Sequence, residues 1–518
     1  MKFDKGQILK NVGSSWFALG VNILVGIFLS PYILHHLGDD AFGLWVLIFS
    51  ITGYYGLFDL GIRSSVVRYV AKHAASNEQD EINCLVNTAL FSYSVIALLA
   101  MLTTLVVTYG LNSIFHINPE FIPTARRLLL MVGTAVSFGF PIGVFGGILG
   151  GLERFLLMNL TSVGSTLMRA LLIIIALQHG HGLLAVALIT VTLPLVSGLI
   201  NAAAVLYHLR LRFGMRYVNR STLRQIGSYS GTTFIIIVAA RLRFKTDALV
   251  IGTFLSAAAV TYFTIGARLV DYAGELVQSM AQIFVPMSSQ SDALGDLPRL
   301  QKIFVAGNRM CALVILPVAA ILIVLGKSVI EAWMGKKYVQ VGYPVMLILL
   351  IPSTLMLIQS ASSRVLFGMG KHQMLAKVTL AEGLANLVLS VVLVRKYGIF
   401  GDAVGTAIPL TCTVLFFLPH HLCHLLKLRL LYYLRHSFLL PLALTMPLVG
   451  ALLLLRRWFV PHHFLQLAAQ VAMGLAVYGI GIAWAIWSRK AWQVKGLSYD
   501  ERDAEIGVEI AETSRQET

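Results

Sequence analysis

Apolar residues run through this 518-residue chain in long blocks separated by short polar turns. The first block, Val12 to Leu34, carries no charge. It is long enough to cross a hydrocarbon core of about 30 Å at about 1.5 Å per residue. The turn His35-His36-Leu37-Gly38-Asp39-Asp40 leads to a second block that starts at Ala41 and stays apolar to Phe58. Backbone groups in hydrocarbon must bond internally, so each block is predicted to be a helix. Continued along the chain, the pattern predicts about fourteen spans, at roughly 12–34, 41–67, 85–110, 124–149, 155–178, 182–207, 226–254, 258–286, 303–326, 341–367, 374–395, 400–425, 437–456 and 464–488. Arg241, Arg243, Lys245 and Asp247 interrupt the seventh. The expected fold is therefore an all-α, multi-pass membrane protein.

Lys and Arg set the expected orientation. With the N-terminus inside, the inner loops hold Lys5, Lys10, Arg68, Lys72, the Arg210 to Arg224 linker, Lys371, Lys427 and Arg429 among others. The outer loops hold fewer, such as Arg126, Arg127, Lys336 and Lys337, and the excess of about twofold places both ends in the cytoplasm. Shifting the chain by 218 residues lays Gly13 on Gly231, Leu37 on Leu255, Ala41 on Ala259, Gly150 on Gly368 and Gly180 on Gly398. One offset that persists across both halves marks an internal repeat. The expected organisation is a six-helix lobe at 1–218, a second at 219–430, an extra helix pair at 431–488 and an acidic cytoplasmic tail at 489–518. Six helices per lobe give both lobes the same orientation about an axis along the membrane normal, with a substrate site between them.

Composition supports the membrane assignment: 57% of residues are hydrophobic, 12% are charged and mean hydropathy is +0.79. No cleavable signal peptide is evident ahead of the first span. A net charge of +16 on a soluble chain would suggest nucleic acid. Here it belongs to cytoplasmic loops and to an anionic substrate, so no nucleic-acid partner is expected. Cys84, Cys311, Cys412 and Cys423 lie in or beside apolar blocks without metal-ligand spacing. His420, His421 and His424 have no acidic ligand nearby in sequence. No metal site is expected.

Charge inside a span is costly and faces a cavity or a partner. In the eighth segment Arg268, Asp271, Glu275, Gln278 and Gln282 follow spacings of 3, 4, 3 and 4, one polar stripe on an apolar helix. The stripe should face the space between the lobes; a self-neutralised Arg268–Asp271 pair is the simpler alternative. In the seventh segment Arg243 and Asp247 could pair at i, i+4, leaving Arg241 and Lys245 on another face, unless this block is interfacial. Asn159, Ser162, Thr166 and Arg169 share a face of the fifth segment. Glu382 and Asn386 occupy the eleventh. Arg364, near the end of the tenth, reads as an interfacial anchor. Asp59 and Arg63, four apart, read as a pair. The candidate cavity cations are thus Arg268, Arg241, Arg243, Lys245 and Arg169. The candidate coupling or gating residues are Asp271, Glu275, Asp247, Glu382, Asp59 and Arg63.

The hairpin turn Leu37-Gly38-Asp39-Asp40-Ala41-Phe42-Gly43-Leu44, with Leu57-Phe58-Asp59-Leu60-Gly61-Ile62 beyond it, resembles the polysaccharide-transport, Wzx-type flippases of the multidrug/oligosaccharidyl-lipid/polysaccharide (MOP) superfamily. Asp247-Ala248-Leu249-Val250-Ile251-Gly252, Thr261-Tyr262-Phe263 and Ala267-Arg268-Leu269 carry the resemblance into the second half, and it covers roughly residues 1 to 488. It implies movement of polyprenyl-pyrophosphate-linked oligosaccharide from the inner to the outer leaflet of a bacterial cytoplasmic membrane, by alternating access, for cell-surface polysaccharide. It also implies neighbouring glycan polymerases or glycosyltransferases as partners. Arginine suits such cargo because its planar fork binds phosphate oxygens bidentately. No GxxxxGK[ST] motif occurs, so no nucleotide cofactor is expected, and a proton or sodium gradient is the expected driving force. Two alternatives are an ion-coupled drug or metabolite antiporter and a membrane glycan polymerase or ligase. Segment one holds Asn22 but no acid, unlike many antiporters. The longest outer loops hold only Glu120 and Glu331 as acids, which is meagre for an enzyme.

Overall fold

The computed structural model describes residues 5–76, 78–209, 211–224, 226, 238–239, 241–243, 245–458, 461 and 464–488. The acidic tail, His462, His463 and much of the seventh segment lie outside them. Helices are, in order, α1 (Lys5–Leu37), α2 (Asp39–Gly53), α3 (Ile62–Ala75), α4 (Gln79–Ile114), α5 (Ile122–Gly151), α6 (Phe155–Gln178) and α7 (Leu183–His208). In the second half they are α8 (Asp247–Phe254), α9 (Ala257–Ala281), α10 (Phe284–Ala293), α11 (Leu297–Met334), α12 (Val339–Leu357), α13 (Ser360–Gly368), α14 (Gln373–Cys412) and α15 (Leu418–Leu425). Last come α16 (Leu430–Trp458) and α17 (Phe464–Trp487).

Eleven helical stretches among the described residues are long and apolar enough to span a membrane. One of them, the 53 residues Gln373–Leu425, turns back at Gly398 (φ 58°) and accounts for two predicted segments. α9 is not among the eleven, because Arg268, Asp271 and Glu275 lower its hydropathy. The second span ends with its apolar run and falls short of the predicted 41–67. α2 gives way to a tight turn at Tyr54–Asp59, and Leu60 (φ 49°) and Gly61 (φ 78°) take left-handed conformations before α3 starts. Left-handed φ cannot continue a helix, so the crossing stops near Asp59.

The 218-residue offset superposes joints as well as letters. Gly38, the left-handed turn between α1 and α2, corresponds to Ser256, which caps α9 by accepting from the Ala259 amide at 3.1 Å. Gly180 (φ 76°), between α6 and α7, corresponds to Gly398. Gly150 and Gly368 both fall at helix ends.

The two halves close against each other at the end where Asp39 lies. Ile33, Leu34 and Phe42 bury themselves with Val260, Phe263 and Trp333. Asp39 ties the seam: its carbonyl accepts from Thr261 Oγ1 (2.7 Å), and its carboxylate accepts from Tyr338 (2.5 Å), Tyr262 (3.2 Å) and Lys337. The last two helices pack on α11, through Leu444, Leu448 and Leu452 against Ile321, Val324 and Leu325.

Prolines inside spans generate further ties. Pro31 has no N–H for the carbonyl four residues back, Ile27, and Trp333 Nε1 of the other half donates to that carbonyl at 2.6 Å. Pro317 likewise frees the Leu313 carbonyl, which accepts from Tyr478 of α17 at 2.7 Å. A buried carbonyl left without its donor costs about 1–3 kcal/mol. Trp333→Phe should therefore lower the thermal midpoint of the purified protein, and much less so when Pro31→Ala has restored the helix's own donor. Equal losses in the two backgrounds would refute the tie.

Candidate functional site

The polar residues of the spans gather in adjoining cavities. Of three such cavities, the largest, about 570 Å³, lies between the halves. α1, α2, α6 and α7 wall it on one side and α9 on the other. Arg169, Arg241, Lys245 and Arg268 line it, with Glu275 as the carboxylate among its lining residues. Arg241 reaches the cavity past Gly56, where a Cβ would sit 2.8 Å from Nη2, the movable tip of the side chain. Arg169 stands at the head of a polar ladder between α6 and α1. Asn159 donates to Ser14 Oγ (2.9 Å) and Thr166 to Asn22 Oδ1 (2.9 Å). Arg169 Nε is buried, with no hydrogen-bond partner among the described residues.

A smaller cavity of about 140 Å³ is walled mostly by the second half, with Arg243, Lys245, Asp247, Arg268, Asp271 and Glu382 on its walls and Val46 and Ser50 of α2 closing it. Here Arg243 Nε pairs with Glu382 Oε1 at 2.7 Å. That replaces the i, i+4 pairing with Asp247 that spacing allows and turns Arg243 away from the central cavity. Glu382 is 5% exposed, so the pair is a neutral unit in a dry interior, where breaking it by removing one partner is strongly unfavourable. Asp247 Oδ1 accepts from Thr406 at 2.7 Å, Thr406 lies 3.0 Å from Asn386 Oδ1, and Ser390 donates to that same oxygen at 2.9 Å.

Asp402 joins this network. It is fully buried just past the Gly398 turn, and Ser390 Oγ lies 3.3 Å from its carbonyl. Sequence reasoning passes over it because it falls at the margin of a span, where charge is ordinary. The available signal was the position of an acid a single helical turn beyond a glycine in a tight hairpin, which folds the acid back against the preceding span.

The stripe on α9 is divided among the cavities. Arg268 lines both of those above, Asp271 the smaller, Glu275 the larger, and Gln278 a third one deeper in the second half. No ion pair within 4 Å joins Arg268 to Asp271 among the described residues. Asp59 and Arg63 stand apart: neither lines the central cavity. Asp59 accepts from the Tyr93 hydroxyl of α4, while Arg63 lies over Gly146 of α5. Among the described residues they form no ion pair with each other.

The fold has clear relatives. A putative O-antigen transporter of Shigella flexneri is 21% identical over 405 residues, covering 78% of this chain and 94% of that protein. The solved structure of the lipid II flippase MurJ in an inward closed conformation aligns with a TM-score of 0.71 at 15% identity, over 94% of this chain and all of that one. An inward-facing multidrug resistance MATE family transporter of the MOP superfamily aligns with a TM-score of 0.63 at 14% identity, over 79% of this chain and 94% of that one. These structural likenesses establish a fold of the MOP type. Residues 8–292 match the family described as polysaccharide biosynthesis protein, and the chain, a multi-pass membrane protein, belongs to that family.

Proposed function

We propose that this protein is a flippase that moves a polyprenyl-pyrophosphate-linked oligosaccharide from the inner to the outer leaflet of a bacterial cytoplasmic membrane, supplying cell-surface polysaccharide assembly. The observation that carries this reading is the cavity between the halves, lined by four cations and one carboxylate in a chain of this family. A pyrophosphate with attached sugars cannot cross hydrocarbon unaided. Arg169 on one half and Arg241, Lys245 and Arg268 on the other supply charge-assisted donors to the diphosphate from both sides, while the lipid tail stays in the bilayer. The same lining repels cationic drugs, which disfavours an antiporter for such compounds.

Movement follows from the two-lobed build. With both ends in the cytoplasm, the Asp39 seam is the outer closure, and its opening would alternate with closure of the opposite end. The network Asp247–Thr406–Asn386–Ser390, with Asp402 and the Arg243–Glu382 pair beside it, is the place for gradient coupling by a proton or sodium ion. Asp402 is fully buried and neither of its carboxylate oxygens has a hydrogen-bond partner among the described residues, which calls for a proton or cation beside this network. Asp271, at the wall between this network and Arg268, would link it to the cargo. A glycan polymerase or glycosyltransferase acting on the delivered unit is the expected neighbour.

In proteoliposomes carrying a panel of labelled polyprenyl-pyrophosphate oligosaccharides, wild type should expose label on the far leaflet. Arg268→Ala should slow this by about 10–100-fold, the loss expected for charge-assisted hydrogen bonds of about 1.5–3 kcal/mol. Undiminished transport by a folded Arg268→Ala protein would remove this residue from the path. With the same vesicles under imposed proton or sodium gradients, Asp247→Asn and Asp402→Asn should abolish gradient stimulation while leaving binding of the cargo intact. Transport indifferent to both gradients in wild type would sink the coupling assignment.

A further inference from the structure

The third cavity, about 260 Å³, lies within the second half near the cytoplasmic turn at His372. Tyr338, which bonds Asp39, begins the span that ends in α13. Arg364 is 26 residues farther on, roughly 40 Å away at about 1.5 Å per residue, so the cavity belongs to the end opposite the Asp39 seam. Arg268, Arg241, Arg169 and Lys245 do not line it.

Four polar atoms on its lining residues have no hydrogen-bond partner among the described residues: Gln359 Oε1, Ser360 Oγ, Arg364 Nε and His372 Nδ1. Gln359 and Ser360 are each 4% exposed. Native proteins leave only about a few buried polar groups unsatisfied per hundred residues, so four on one cavity need an explanation. The orientation of Gln359 is fixed. Its Nε2 donates to the carbonyls of Val414 (2.9 Å) and Leu355 (3.2 Å). Val414 is available because the wide turn at Thr413–Phe417 shifts its partner to Pro419, which has no N–H. Gln359 Oε1 is therefore left as a pure acceptor. His372 is held by stacking on Phe367, with ring centroids 4.9 Å apart.

Charge completes the picture. Arg243 also lines this cavity, but Glu382 neutralises it. Arg364 Nη2 donates to neutral Gln278 at 2.7 Å, and among the described residues no carboxylate lies within 4 Å of Arg364. Water could satisfy the orphan atoms, since about 260 Å³ holds several molecules at about 30 Å³ each, yet it would leave the guanidinium uncompensated. The occupant must bring negative charge to Arg364 and a hydroxyl proton to Gln359 Oε1, with Ser360 and His372 able to serve either need.

We propose that this cavity is a second binding site, separate from the central one, for a phosphate that carries a neighbouring hydroxyl group: the chemistry of a glycerophosphate. The source is either the headgroup of phosphatidylglycerol drawn from the cytoplasmic leaflet or a soluble glycerol phosphate. The site does not depend on the proposed cargo.

The test uses the full chain in detergent. Native mass spectrometry compares retention of phosphatidylglycerol with phosphatidylethanolamine, and calorimetry titrates sn-glycerol 3-phosphate and inorganic phosphate. Wild type should retain phosphatidylglycerol selectively, or bind glycerol phosphate more tightly than inorganic phosphate; the first outcome identifies the leaflet as the source and the second the solution. Arg364→Gln should weaken whichever binding is seen at least tenfold, Ser360→Ala several-fold, and Arg268→Gln not at all. If Arg364→Gln does not fold, Ser360→Ala decides. No selective binding, binding unchanged in both variants, or binding lost equally in Arg268→Gln would overturn the assignment.

Discussion

Hydrocarbon offers no hydrogen-bond partner, and the protein is assembled around that lack. A helix interrupted by proline exposes a carbonyl that water cannot reach, so another side chain must reach it. Trp333 does so for Ile27, Tyr478 for Leu313, and Gln359 for Val414. In each case the donor comes from a different span. Residues that weaken a helix in isolation thereby become the points at which spans are fixed to one another. The first tie joins the two halves, and the second fastens α17, the last described helix, to α11.

Charged side chains obey the same rule on a larger scale. Arg243 meets Glu382, and Arg309 donates to the His436 carbonyl at 2.7 Å, so each is held within one packing unit. Arg169, Arg241, Lys245 and Arg268 instead share open space with Glu275. A cation that is satisfied by its own lobe can stabilise that lobe. One left facing a cavity keeps its binding capacity for something that arrives from outside. Arg241 and Arg243, two residues apart, differ in this way: the first lines the cavity and the second pairs with Glu382.

Much of this architecture was legible in the letters. Apolar runs located the spans, and glycines at one offset located the joints of both halves, because hydropathy and left-handed turns are local properties. Charge in an apolar run also pointed to five cations, of which Arg169, Arg241, Lys245 and Arg268 line the central cavity and Arg243 does not. What sequence withheld was the partner of each charge. Asp59 meets Tyr93 from α4 rather than Arg63 one turn away, because the helix breaks at Leu60 and Gly61 between them. The stripe on α9 looked like one face of one cavity. Its helix instead stands at the junction of three, and the allocation of Asp271, Glu275 and Gln278 depends on how neighbouring spans are rotated. Arg364 reads from sequence as an anchor at a membrane boundary, whereas Gln278 of α9 and residues of α14 share its cavity.

The common offset also exposes a departure from symmetry. Stepping back 218 residues from Asp247, Glu382, Asn386, Asp402 and Thr406 gives Leu29, Gly164, Met168, Leu184 and Leu188. Each of these five polar residues has an apolar or small counterpart in the first half. A duplicated ancestor would have begun with two equal halves, each offering the same surface to the cavity. At these five positions the first half carries apolar or small side chains and the second carries acids, an amide and a hydroxyl. At these positions the polarity of the second half therefore has no mirror image in the first, and two repeats whose joints match differ in where their charge sits.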